Sequence, residues 1–177
     1  MSMTMVQDFL GEYRRYKAIG QKALDQVSDE ALNQIAGPDN NSIAMLVRHI
    51  SGNMLSRFTD FLTGDGEKPW RDRDSEFATI TYDRQAVNRM WADGWQVLEA
   101  QLAALTDEDL QREVTIRGTG LSVHEALCRS LAHAACHIGQ IVLLARISTG
   151  AGWRWITIPK GKSREYNLNP TKEKKLE

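Results

Sequence analysis

Residues 122–147 read SVHEALCRSLAHAACHIGQIVLLARI, an apolar segment with the length and periodicity of one long helix. Ser122 and Glu125 have the spacing of a capping box at its start, and Gly150 follows its end. His133 and His137 lie four apart near its middle, so a helix stacks both imidazoles on one face. Their Cβ atoms are then about 5–6 Å apart, close enough for one ion to bridge the rings. His124 falls about 13.5 Å from His133 along the axis, out of reach of the same ion. Cys128 and Cys136, the two cysteines, are about 12 Å apart on this helix and cannot form a disulfide. Cys136 points about 100° away from its neighbour His137 and reads as a buried structural thiol. Reduced thiols fit a cytosolic protein.

Three further segments repeat apolar residues at intervals of three and four, which predicts an all-α fold. The first runs from about Thr4 to Val27, and Ser28 to Ile35 adds a short helix. After Gly37-Pro38, the polar run from Asp39 to Ser42 offers N-caps for a helix lasting to about Thr63, with His49 near its middle. One face of that helix carries Met45, His49, Gly52, Asn53 and Ser56, small and polar where a core should be apolar, which leaves room for a cavity. A third helix spans about Tyr82 to Leu105, with Trp91 and Trp95 on its inner face. Gly52, Gly94 and Gly139 each cost about 1 kcal/mol against alanine inside a helix, so close packing or ligand space is expected at them. A short run, Val114 to Ile116, is expected to pair with Trp155 to Ile158 as a minor two-stranded ribbon. Gly64 to Ile80 reads as a surface crossover anchored by Trp70, with a lid over a site as the alternative.

The 177 residues fit one domain, taken as 1–170, with a disordered charged tail over 171–177. Twenty-two basic and 23 acidic residues nearly cancel, which argues against nucleic acid or a membrane surface as partner and for a small molecule or protein. No uninterrupted apolar run approaches a spanning helix, and the first residues lack the layout of a signal peptide, so a cytoplasmic location is expected.

His49 can join His133 and His137 in the interior of a bundle, giving three neutral ligands and an open coordination position. Gln140 lies three residues after His137 and Asn53 four after His49, placing both amides near the metal group. On three neutral ligands an ion keeps its full +2 charge, draws anions, and lowers the pKa of a bound water or thiol. Imidazole alone does not select among zinc, nickel, copper and iron. Tyr13, Asp93 and His124 are candidates for proton transfer, none of them assigned.

His49 with His133-x-x-x-His137-Ile-Gly-Gln140 resembles the metal triad of the DinB-like superfamily, which includes the YfiT-like hydrolases. The segments RHISGNMLSRFTDFLTGDGEKPWRDRDSEF, AHAACHIGQIVLLARI and ITIPKGKSREYN are similar to a subgroup of that superfamily whose activity is uncharacterised. The resemblance implies a four-helix bundle with a long crossover, a divalent ion on His49, His133 and His137, zinc or nickel first among metals, and a homodimer. It also implies thiol S-transfer or hydrolysis, with a low-molecular-weight thiol as one reactant. Three functions remain open: such a transferase or hydrolase, a metal-stabilised stress or interaction protein without chemistry, and a bundle whose histidines bind nothing.

Overall fold

The computed structural model of the chain describes residues 4–171. All of the expected charged tail except Thr171 lies outside them. Helices form where the apolar period and the caps coincide: α1 Met5–Leu24, α2 Asp29–Asn33, α3 Ile43–Phe58, α4 Arg84–Ala104, α5 Val123–Thr149 and α6 Ser163–Tyr166. The long helices start at Thr4, Ser42, Asp83 and Ser122, whose side-chain oxygens accept from the backbone N–H three residues on. At Ser122 the predicted capping box is present, with Glu125 reaching back to the cap nitrogen at 2.8 Å. α3 ends five residues before the predicted Thr63, because Asp60 turns into the left-handed region at φ 49°.

α1, α3, α4 and α5 form a four-helix bundle, in which α3 packs on α4 and α1 on α5, with α3 also touching α5 and α1 touching α4. Tyr13, Trp95, Leu98 and Leu127 are fully buried at its centre. The Tyr13 hydroxyl donates to Leu127 O, which ties α1 to α5 through the core. Two predicted glycine positions have a packing reason and one does not. At Gly94 a Cβ would stand 2.8 Å from Ser51 Cα, so α3 and α4 approach to backbone contact. Gly139 faces open space, so close packing does not account for it.

The minor ribbon forms with a different partner. β1 Glu113–Ile116 pairs antiparallel with β2 Thr119–Ser122, not with the Trp155 to Ile158 run. Arg117 and Gly118, both at positive φ (55° and 71°), make the two-residue turn whose twist matches a hairpin. This places the hairpin directly before α5 and over one end of the bundle.

Averaged over its length, the segment Val123–Gly152 is apolar and long enough to cross a membrane, although no uninterrupted run in the sequence is. Its inner face, including Leu127, Ile138 and Ile141, lies in the core of the bundle, while Leu143 and Ile147 are exposed on its outer face.

Candidate metal centre

α3 and α5 bring their histidines to one point. His49 is 2% exposed, and the ligand-capable nitrogens of His49, His133 and His137 all lie within 4.8 Å of one another. The rings pack edge to face, with centroids 4.5–5.0 Å apart. His49 Nε2 stands 3.0 Å from His133 Nε2. Two nitrogens sharing a tetrahedral ion at about 2.05 Å each would be about 3.3 Å apart, so the observed separation needs little adjustment.

The crossover between α3 and α4 supplies what holds the first of these rings. Glu76, in a short 3-10 turn, is 5% exposed, and its Oε2 lies 2.7 Å from His49 Nδ1. Arg71 closes on the same carboxylate with two bonds of 2.8 and 3.0 Å. Burial pushes the Glu76 carboxyl up, but the hydrogen bonds from His49 and Arg71 outweigh it and hold the group below the usual carboxylate range. An ionised carboxylate only accepts, so His49 carries its proton on Nδ1 and keeps the Nε2 lone pair toward His133. Gly52 makes this possible, since a Cβ there would overlap Glu76 Oε1. The Phe77 ring covers His49 at 4.7 Å. On α5, Gln140 Oε1 accepts from His137 Nδ1 at 2.8 Å, which leaves Nε2 as the unprotonated nitrogen of that ring.

His133 and His137 are held neutral. Burial first, then the neighbouring histidines and the charges of Arg71 and Arg57, lower the His133 pKa to about 4. Burial also lowers His137, partly offset by the Gln140 hydrogen bond. Neutral imidazoles are the form a metal needs. The residues therefore fit a divalent ion: three converging rings, two with their second nitrogen engaged, and no fourth histidine, cysteine or carboxylate in the group among the described residues.

The group opens onto a cavity of about 660 Å³. Asn53 and Gln140, the two amides expected beside the metal group, line it, as do Phe58, Phe61 and Leu121. The other candidates lie elsewhere. Tyr13 is buried with its hydroxyl bonded to Leu127 O, and burial pushes its pKa beyond the ordinary phenolic range. Asp93 is exposed on α4, and His124 packs edge-on against Phe9 at 5.7 Å. None of the three lines the cavity. Cys136 is exposed, contrary to the buried thiol expected, because the face of α5 next to the histidine face looks outward. Both cysteines are free thiols. Trp70 does not anchor the crossover, being 59% exposed; the Glu76 contacts do that instead. Glu76 was not singled out from sequence, and the only local hint was Gly52 on the histidine face of α3.

The family described as Protein of unknown function (DUF1572) matches residues 1–162. A conserved protein from Enterococcus faecalis shares the fold with a TM-score of 0.65 at 16% identity, over 84% of this chain and 99% of its own. A DinB-like protein from Bacillus cereus ATCC 10987 gives 0.62 at 22% identity, over 78% of this chain and 89% of its own. No match is found among curated proteins.

Proposed function

Because the chain belongs to the DUF1572 family, within the DinB-like superfamily, we propose that it is a metal-dependent enzyme that directs a thiol or water onto an electrophilic small molecule. His49, His133 and His137 hold one divalent ion, zinc or nickel, and the reaction is S-transfer or hydrolysis. The observation that carries this reading is the opening of the three-histidine group onto a substrate-sized cavity. When bound, the ion supplies a charge that lowers the pKa of a thiol or water near neutral pH. The chain's own residues do the rest. Glu76 and Gln140 fix the planes of two of the imidazoles through their second nitrogens. Phe77 limits the access of solvent to His49. Among the described residues the cavity wall offers no cysteine, tyrosine or carboxylate and only the hydroxyls of Thr115, Thr119 and Ser130, and this reading takes the nucleophile from a bound reactant. Asn53 and Gln140 present amides that orient that reactant. The enzyme in this proposal is a cytoplasmic homodimer.

Metal content and single-turnover kinetics test it together. Wild type should carry one ion per chain and consume an electrophile with one of a panel of low-molecular-weight thiols or with water. His137→Ala should lose the ion, and His133→Ala should lose the rate. Unchanged metal content in the first variant rejects the site. Equal rates for wild type and His133→Ala on every electrophile reject the chemistry and leave a metal-stabilised interaction protein.

A further inference from the structure

Five arginines from four parts of the chain line the same cavity: Arg57 on α3, Arg71 and Arg73 in the crossover, Arg117 in the hairpin turn and Arg129 on α5. No aspartate or glutamate lines it among the described residues. Two carboxylates stand behind the arginines. Glu76 takes both bonds of Arg71, and Glu67 is shared by Arg57 and Arg117 at 3.1 Å each. With Asp74, the ion-pair partner of Arg73, five positive charges against three negative leave an excess of two at the wall before any metal is counted.

The two arginines that those carboxylates do not meet, Arg73 and Arg129, are both exposed. Arg73 stacks over the Phe77 ring at 5.2 Å, with the exposed Asp74 at 3.9 Å as its ion pair. Arg129 has no hydrogen-bond or ion-pair partner among the described residues. It lies four residues before His133, so the period of α5 sets it on the histidine face. Burial lowers the pKa of Arg57 most, the bond and charge of Glu67 oppose it, and the charges of Arg71 and Arg117 add smaller lowering effects. Like charges gathered around a concave, partly apolar surface repel one another, and an anion relieves that repulsion while gaining charge-assisted bonds. One side of the wall is apolar, with Phe58, Phe61, Val114, Leu121 and Ala126.

We propose that the substrate is an amphiphilic organic anion, its acid group taken by Arg73 and Arg129 and its apolar body by the phenylalanine side of the cavity. The inference rests on the cavity being the substrate site of the proposed enzyme, but it does not require the ion to hold the acid group. Its probes are therefore octanoate, octyl phosphate and the neutral octanamide. Each is titrated calorimetrically into zinc-loaded protein and into protein stripped with a chelator.

At least one anion should bind about tenfold more tightly than octanamide in both forms, the better of the two identifying the acid group. Arg129→Gln and Arg73→Gln, both at exposed positions, should each weaken that anion roughly fivefold while leaving octanamide binding, helicity and zinc stoichiometry unchanged. Equal binding of anions and amide, or no binding of any probe, overturns the proposal. So does an anion preference seen only with zinc and insensitive to both arginine variants, because the ion alone would then be responsible. Failure of the metal reading looks different: no stoichiometric zinc, with the anion preference and its arginine dependence intact.

Discussion

Glu76 takes a charge into the interior and has it met on two sides, by His49 Nδ1 and by Nε and Nη2 of Arg71. Glu76→Gln keeps the shape but replaces a strong acceptor with a weaker one that can also donate, which frees the His49 ring to turn or to change tautomer. Loss of such a support typically costs 10–100-fold in metal affinity. Zinc competition against a chromophoric chelator should show a loss of about that size, and an unchanged affinity would mean that His49 is held by packing alone. His133 and His137 were legible in the sequence because a helix converts a spacing of four into a shared face. Glu76 was not, because irregular chain carries no period and its distance of 27 residues from His49 says nothing about contact. Cys136 was misread for a related reason: the angle between it and His137 gave its direction, but not which neighbouring face the bundle leaves bare.

The crossover and the hairpin are joined at Asp65, whose carboxylate accepts from the backbone N–H groups of Glu67, Arg117 and Gly118 at 2.7, 2.8 and 2.7 Å. These bonds lower its pKa from 3.8 to about 2. A carboxyl with a depressed folded-state pKa contributes stability that is present above the unfolded value and lost as pH falls through the folded one. For Asp65 that window runs from about pH 4 down to about 2. The melting temperature of the wild type should therefore fall more steeply across the window than that of Asp65→Asn. Parallel profiles for the two proteins would show that the junction contributes nothing to the pH dependence. The four long helices were readable from their stripes and caps, Ser122 above all. The hairpin partner was not, because Arg117-Gly118 is a weaker turn signal than Asn-Gly and the true second strand, TGLS, has only Thr119 of the β-branched and aromatic residues that marked Trp155 to Ile158.

At the scale of the molecule, the core is continuous from α1 to α5 without any contribution from the three histidines, and Tyr13, Trp95 and Leu98 at its centre are fully buried. The bundle should thus fold without metal. Chelation should leave the far-UV circular dichroism unchanged, while saturating zinc should raise the melting temperature through its preference for the folded state, by about 2.7 kcal/mol at a hundredfold excess over Kd. Collapse of helicity on adding the chelator would make the ion structural. The all-α architecture was readable from apolar periodicity, and the bundle with its long crossover from the family resemblance. The cationic cavity wall was not, since its five arginines come from four separate parts of a chain whose overall charge nearly cancels.

The seating of Glu76 beside Gly52 should also shield the Arg71–Asp72 bond from trypsin. Trypsin must draw an arginine side chain into its own pocket, and that of Arg71 is only 2% exposed while it grips Glu76. Scission of the Arg71–Asp72 bond then requires the crossover to lift off α3 first, so its rate follows the population of that opened state. Gly52→Ala, which places a methyl group where the carboxylate sits, should expose the bond even though the mutated residue lies 19 positions from the cut. Fragment masses from a timed tryptic digest would read this directly, and a cleavage rate at Arg71 equal to that of the wild type would mean that the crossover is pinned elsewhere.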